Sequence, residues 1–179
     1  MNRRLPGDPS DRALVDRILR VDHAGEYGAR RIYEGQLAVL GKSASAPALR
    51  HMADQESQHL QAFENLLVER RARPTALMPV WHLAGYALGA ATALLGERAA
   101  MACTVAVEEV IDEHYRGQIA ALGTDEAPLA ETLERFRKDE VAHRDIALAS
   151  GAEEAPAYAL LSQAVRSASR VAIWLSERL

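Results

Sequence analysis

Hydrophobic residues recur every three or four positions along most of the chain, which is the spacing of an amphipathic helix. The pattern predicts four long helices, over residues 11–40 and over about 47–70, 97–122 and 127–149. A further helix is predicted over about 156–178. Glycine and proline between these segments mark the loops. The predicted fold is therefore all-α, an antiparallel four-helix bundle with an extra C-terminal helix.

Two stretches depart from this pattern. Residues 1–9 are rich in proline and glycine and predict an irregular arm, after which Asp8 or Ser10 could cap the first helix. Residues 71–96 form a long crossover that contains the charge-free segment 80–96. This segment is shorter than the roughly 20 apolar residues that span a bilayer. It is either a buried helix, or a helix that lies in a membrane interface or lines an apolar pocket.

Composition and charge narrow the class of protein. With 179 residues, the chain is predicted to form a single domain over 1–179. A net charge of -4, without a basic stripe, argues against nucleic acid as a partner. The one cysteine, Cys103, lies in an apolar run and is predicted to be a small buried residue in a reducing compartment. The N-terminus lacks the apolar segment of a secretory signal, which predicts a cytosolic protein.

The chain carries two copies of one stretch. Each copy begins with a glutamate and ends, more than 30 residues later, in a Glu-x-x-His unit. When the chain is shifted by 82 positions, the tyrosine, glycine, glutamine and leucine residues between these points also align. The candidate residues are Glu26, Glu56 and His59 in the first copy, and Glu108, Glu140 and His143 in the second.

Residues three apart on a helix share one face, so each Glu-x-x-His unit can present an oxygen and a nitrogen to one point. Four carboxylates and two imidazoles in this order are the ligand set of a four-helix di-iron site, and a single long crossover is typical of a ferritin-like bundle. Buried carboxylates need protons or cations to neutralise them. One Glu-x-x-His unit could be an ordinary solvated helix face, whereas two units in a repeat favour six metal ligands that suit iron or manganese.

Several neighbours of these residues are candidates for supporting roles. Tyr33 and Tyr115 each follow the first glutamate of their copy by two helical turns, so they either pack in the core or line a pocket above the metals. Asp139 could orient a ligand histidine by accepting its second N–H. Gly25 and Gly28 weaken the first helix, and we expect them to let a neighbouring helix approach closely.

Four stretches also resemble a known family. They are RVDHAGEYGA at 20–29, DQESQHL at 54–60, ACTVAVEE at 102–109 and RVAIWLSERL at 170–179. They resemble the ubiquinone-biosynthesis hydroxylases that act on demethoxyubiquinone, and the resemblance extends from about residue 11 to the C-terminus. It implies that the six candidate residues are iron ligands. By analogy with the ferritin-like class, Glu56 and Glu140 would bridge the metals, while Glu26 and Glu108 would be more terminal.

The resemblance also implies a reaction. Two iron ions and O2 would hydroxylate the ring of 5-demethoxyubiquinol, a 2-polyprenyl-3-methyl-6-methoxy-1,4-benzoquinol, to give the demethylubiquinol. NADH is the reductant by resemblance alone, since the chain has no G-x-G-x-x-G motif. The mitochondrial members have a transit peptide, and their loop at 124–131 is longer, so the chain resembles a bacterial member. A polyprenyl substrate implies peripheral attachment to the cytoplasmic face of the bacterial inner membrane, either as a homo-oligomer or with a lipid-binding protein partner.

Two other functions are compatible with the repeat. A relative of ferritin or rubrerythrin would oxidise iron or scavenge peroxide, and would need no apolar entry for a lipid tail. A non-catalytic, membrane-associated helical bundle would hold its metals for structure only. The choice of a quinol substrate depends on the resemblance and, more weakly, on the apolar crossover.

Overall fold

The structure is a computed structural model that describes residues 11–179. It contains six α-helices, and no strand occurs within that range. The predicted all-α fold is confirmed, and the helix ends lie within about two residues of the predicted ones. The predicted arm at 1–9 and its candidate caps, Asp8 and Ser10, lie outside the described residues. The helices are α1 (Asp11–Leu40), α2 (Ala46–Arg70), α3 (Met78–Leu94), α4 (Glu97–Ala121), α5 (Ala127–Ala149) and α6 (Tyr158–Ser176).

Glycine and proline account for most of the helix boundaries. Pro47 and Pro128 lie in the first turns of α2 and α5, where a missing N–H costs no helical hydrogen bond. Gly96, between α3 and α4, has φ 112°, and Gly151, after α5, has φ 81°. Both lie where a side chain would be strained. The resulting loops are short, so α1 with α2 and α4 with α5 form antiparallel pairs.

The four helices α1, α2, α4 and α5 form the bundle, while α3 packs on α1 and α6 packs on α4. The bundle core contains two hydrophobic clusters. One includes Leu49, Met52, Met101 and Val105, and the other includes Leu19, Phe63, Leu133 and Phe136. On each of the four helices, the candidate ligands lie in sequence between residues of the two clusters. The metal-binding candidates therefore occupy a polar layer between two apolar ones.

Helix α3 lies unusually close to α1 because glycines on each helix leave room for the backbone of the other helix. A Cβ atom added to Gly89 would lie 2.8 Å from the carbonyl carbon of Ile32, and one added to Gly85 would lie 2.8 Å from the carbonyl oxygen of Gly28. A Cβ added to Gly35, on α1, would lie 2.7 Å from the backbone nitrogen of Ala90. All three distances are too short for real atoms, so only glycine fits at these positions.

The expected role of Gly25 and Gly28 is therefore wrong in part. A Cβ added to either residue would have no atom within 4 Å, so neither needs to be glycine for the approach of α3. The backbone of Gly28 does lie against α3, but the residue that must lack a side chain at this contact is Gly85. The space beside Gly25 and Gly28 instead belongs to a cavity described below.

The apolar crossover helix α3 is half buried. Gly85, Gly89 and Thr92 are buried, whereas Leu83 and Leu94 are 71% and 74% exposed. Among the described helices, none is both long enough and apolar enough to cross a membrane. One side of the segment therefore packs in the protein, and the other side presents apolar side chains outward.

Candidate metal centre

Each bundle helix contributes to a buried cluster of carboxylates and imidazoles. The six candidate residues are each at most 3% exposed, and they are Glu26 on α1, Glu56 and His59 on α2, Glu108 on α4, and Glu140 and His143 on α5. They form two groups, in each of which one donor atom per residue lies within 4.8 Å of the others. The groups are Glu26, Glu56, His59 and Glu140, and Glu56, Glu108, Glu140 and His143. Glu56 and Glu140 belong to both groups, which is the placement that bridging requires.

Both histidines present Nδ1 to the cluster. His59 Nδ1 lies 3.0 Å from Glu140 Oε1 and 3.3 Å from Glu26 Oε2. His143 Nδ1 lies 3.0 Å from Glu140 Oε2 and 3.3 Å from Glu56 Oε1. The i, i+3 spacing on each helix therefore brings oxygen and nitrogen donors to the same side. Nδ1 is the atom through which either ring would bind a metal.

The outer nitrogens of the two rings have partners on the opposite helix pair. His59 Nε2 lies 3.1 Å from Asp139 Oδ2, and His143 Nε2 lies 3.0 Å from Gln55 Oε1. If Nδ1 keeps its lone pair for a metal, Nε2 carries the proton and donates it to these oxygens. Asp139 was a candidate from the sequence, whereas Gln55 was missed. The repeat could have identified it, since Gln55 precedes Glu56 in the first copy just as Asp139 precedes Glu140 in the second.

The two tyrosines of the repeat each reach the other copy's first glutamate. The Tyr33 hydroxyl donates to Glu108 Oε1 at 2.8 Å, and the Tyr115 hydroxyl donates to Glu26 Oε1. Burial, together with the nearby carboxylates, raises the pKa of both phenols well above the usual value. They therefore stay protonated and act as donors. Each holds one oxygen of its glutamate and leaves the other directed to the cluster, so these tyrosines combine core packing with contact to the site.

Without metal, the cluster balances its charge with protons. Burial, and then neighbouring carboxylates, raise the pKa of Glu56 and Glu108 well above the usual value. Burial opposes ionisation of Glu140 too, but hydrogen bonds from both site histidines lower its pKa to about 2. Burial would lower the pKa of His59, yet hydrogen bonds to two carboxylates raise it to about 11. Cations that bind here must displace protons, which couples metal binding to pH.

The donor atoms of the cluster fit a pair of cations. Among residues 11–179, five donor atoms of the cluster are buried without a well-aligned hydrogen bond, although all but Glu108 Oε2 lie 3.0–3.3 Å from another atom of the cluster, and these five are Glu26 Oε2, Glu56 Oε1, Glu108 Oε2, Glu140 Oε1 and His59 Nδ1. Buried polar atoms that are poorly paired are costly, and a pair of cations would satisfy all five. Carboxylate oxygen with imidazole nitrogen is a set that suits iron or manganese.

An apolar cavity of about 180 Å³ lies between α1, α3, α4 and α6. Gly25, Gly28 and Val107 line its bundle side, and Leu88 and Ala172 line its outer side. Gly25 and Val107 are the chain neighbours of the first glutamate in each copy. The six cluster residues do not line the cavity, so the backbones of α1 and α4 lie between the cavity and the side chains of these two glutamates.

The fold and the cluster define a ferritin-like helical bundle with a buried carboxylate–histidine site able to hold metal. Residues 13–176 match the family model described as ubiquinone biosynthesis protein COQ7. The chain belongs to this family, and the resemblance read from its motifs is confirmed.

Individual relatives support the same assignment over nearly the whole chain. A Rhodospirillum rubrum protein named 3-demethoxyubiquinol 3-hydroxylase is 61% identical over 176 residues, covering 98% of this chain and 83% of the relative. The human mitochondrial NADPH-dependent 3-demethoxyubiquinone 3-hydroxylase is 54% identical over 176 residues, covering 96% and 81%. The Saccharomyces cerevisiae mitochondrial 5-demethoxyubiquinone hydroxylase is 42% identical over 184 residues, covering 93% and 79%.

Proposed function

We infer that this protein is an O2-dependent monooxygenase that hydroxylates the ring of demethoxyubiquinol in ubiquinone biosynthesis. Its family and the names of its relatives support the reaction class. The observation in the structure that carries the proposal is a buried carboxylate–histidine cluster on a bundle whose helices α1 and α4 also line an apolar cavity. A hydroxylase with a lipid-tailed substrate needs both a metal centre and an apolar space for the substrate.

The six residues of the cluster would hold two iron ions, with Glu56 and Glu140 shared between them. When bound, iron supplies the redox chemistry that activates O2. The reaction inserts one oxygen atom into a ring C–H bond and reduces the other to water, which consumes two electrons and two protons. Tyr33 and Tyr115 hold the unshared glutamates by hydrogen bonds, and the two apolar clusters on either side keep the layer dry.

The cavity would bind part of the substrate. Its walls are mostly alanine, glycine, valine, leucine and isoleucine, which suits an aromatic ring or isoprene units. At about 180 Å³ it is smaller than most sites for drug-sized ligands, so a long tail must continue toward the surface. Trp81 on α3 and Ala168 and Ala172 on α6 form the outer side of the cavity, so the tail would leave between these two helices.

The cavity also separates the proposed function from its two alternatives. An iron-oxidising or peroxide-scavenging protein needs access for small polar molecules and gains nothing from a lipid-sized apolar space. A non-catalytic bundle with structural metals gains nothing from an apolar cavity, since empty space costs stability. Hydroxylation of a tailed quinol is the function that uses the cavity.

Reconstitution decides among these functions. Protein loaded with iron is mixed with demethoxyubiquinol, O2 and a reductant, and the products are identified by mass spectrometry. Hydroxylated quinol is the expected product, whereas rapid iron oxidation without product would support the ferritin-like alternative. Absence of O2 consumption would support the non-catalytic bundle. NADH and NADPH should be compared as reductants, because the resemblance implies NADH and the human relative's name specifies NADPH.

The cavity assignment has its own test. Gly28→Leu places a side chain in the space where an added Cβ meets no atom within 4 Å, and so fills the cavity with little strain in the fold. We expect a higher KM for the quinol at unchanged iron content. Gly117→Leu is the matched control, because Gly117 is also an open helical position but does not line this cavity. Equal KM values for the two variants would place the substrate elsewhere.

We also propose that α3 attaches the protein to the membrane surface, on the cytoplasmic face of a bacterial inner membrane. Leu83 and Leu94 are more than 70% exposed, Leu95 is 66% exposed, and the helix borders the proposed exit of the tail. Exposed apolar side chains of this kind favour an interfacial position. A lipid-binding protein or a second copy of the chain would cover the same side chains in solution.

Liposome flotation tests the membrane proposal. Replacing Leu83, Leu94 and Leu95 by serine is expected to abolish co-flotation with vesicles of phosphatidylethanolamine and phosphatidylglycerol. The control is Val39→Ser with Val68→Ser, because these exposed apolar residues lie on α1 and α2. Flotation that persists in the α3 variant, or is lost equally in the control, would refute a role for α3. A single defined oligomer in the parent that the α3 variant loses would instead indicate a protein partner.

A further inference from the structure

The two halves of the metal centre support each other reciprocally. The residue before the Glu-x-x-His unit of one half accepts a hydrogen bond from the histidine of the other half. Asp139 is paired with His59 at 3.1 Å, and Gln55 is paired with His143 at 3.0 Å. The tyrosines repeat the pattern, since each donates to the first glutamate of the other half.

The reciprocity has one chemical asymmetry. Each group of four donors contains three glutamates and one histidine, and each unshared glutamate accepts from one tyrosine. The partners of the histidines differ, however, because Asp139 is a carboxylate and Gln55 is a neutral amide. A carboxylate that accepts from a ligand imidazole makes the ring a stronger donor to the metal, and a neutral amide does so less.

We propose that Asp139 and Gln55 give the two metal positions different affinities, an inference that rests on the metal centre of the proposed function. The position at Glu26 and His59 binds the first metal more tightly, and the position at Glu108 and His143 binds the second more weakly. Asp139 and Gln55 are positioning residues, which act on the metals through the histidines.

The size of the effect follows from the exposure of the carboxylate. Outer partners of metal-ligating histidines typically change metal affinity by about 10–100-fold. The Asp139 side chain is 37% exposed, so water screens part of its charge and the lower end of this range applies. We therefore expect a difference of about tenfold from the aspartate alone.

The proposal is tested by replacing each histidine partner with a side chain of nearly the same shape, Asp139 by asparagine and Gln55 by glutamate. Binding of Co2+ to each variant is measured by anaerobic titration, followed by the visible absorption of the bound ion. The His143→Ala background retains the position at His59, and the His59→Ala background retains the position at His143. In the first background, Asp139→Asn is expected to raise the Kd for Co2+ about tenfold, whereas in the second it should leave the Kd within about twofold. Gln55→Glu is expected to lower the Kd about tenfold in the second background only.

The outcomes separate this inference from the proposed function. In one outcome, the parent chain binds two Co2+ ions while Asp139→Asn and Gln55→Glu leave both dissociation constants unchanged or shift them equally. That result would overturn the inequivalence but leave the metal centre intact. Binding of fewer than two ions by the parent chain would overturn both. If a histidine variant does not fold, the exchange in the parent decides. In the chain that keeps both histidines, Asp139→Asn must reduce the ratio of the two dissociation constants. Combining Asp139→Asn with Gln55→Glu must again separate the two dissociation constants.

Discussion

The close contact between α1 and α3 predicts that two glycines respond to alanine with opposite signs. A Cβ added to Gly89 would lie 2.8 Å from the carbonyl carbon of Ile32, where carbon atoms normally stay about 3.5–4.0 Å apart. The neighbour is backbone and cannot rotate away, so the helices must separate by about 1 Å. A gap of that size removes roughly a quarter to a half of the dispersion energy of each atom pair in the contact.

The expected free energies decide the sign. Overpacking costs about 1–3 kcal/mol, and a rigid backbone neighbour places Gly89→Ala toward the upper end. Alanine recovers about 1 kcal/mol of helix propensity, which leaves a net loss of about 2 kcal/mol. Gly117→Ala in α4 receives only the propensity gain, because its Cβ would have no atom within 4 Å. For a chain of this size, we expect the Tm to fall by about 4–8 °C for Gly89→Ala and to rise by about 2–4 °C for Gly117→Ala.

Thermal denaturation of the metal-free protein, followed by circular dichroism, measures both variants under one set of conditions. Gly85→Ala provides an independent check, since its Cβ would lie 2.8 Å from the carbonyl oxygen of Gly28. If Gly89→Ala is as stable as the parent, α3 does not lie against α1 at this distance and the reasoning fails. If Gly117→Ala is also destabilised, the helix-propensity part of the comparison is wrong.

Three further predictions concern single buried residues. Glu140→Ala removes a carboxylate shared by both donor groups, so iron content measured by mass spectrometry should fall from two ions per chain, and an undiminished content would contradict the site. Burial raises the pKa of Asp22 well above 3.8 in the folded protein, so stability is lost as the pH rises above 3.8 toward the folded pKa. Asp22→Asn keeps the acceptor for Gln118, and its Tm advantage over the metal-free parent should grow between pH 4 and 7; a constant difference would contradict this. Burial raises the pKa of Cys103 to about 12, so iodoacetamide at pH 8 should label it in urea but not in the native protein, and rapid native labelling would show that it is accessible.

Local chemistry made much of the fold predictable from the sequence. The helix ends follow from glycine and proline, whose backbone preferences act within a few residues. The pairing of helices follows from short loops, and the presence of one long crossover follows from the breaker region at 71–74. The candidate ligands could be chosen because the i, i+3 spacing and the repeat are both properties of the linear chain.

The sequence by itself thus determined which residues could form a metal centre and on which helix each lies. Only the tertiary structure decided how those residues support one another. The donation from Tyr33 to Glu108 and the contact of Gln55 with His143 depend on the rotation and relative height of two helices, which no local spacing specifies. The glycines illustrate the same limit, because the sequence shows that Gly28 and Gly89 lack side chains, but packing decides that one borders a cavity and the other a helix. Local patterns constrain neighbours along the chain, whereas the site and its cavity arise from distances between segments far apart in sequence.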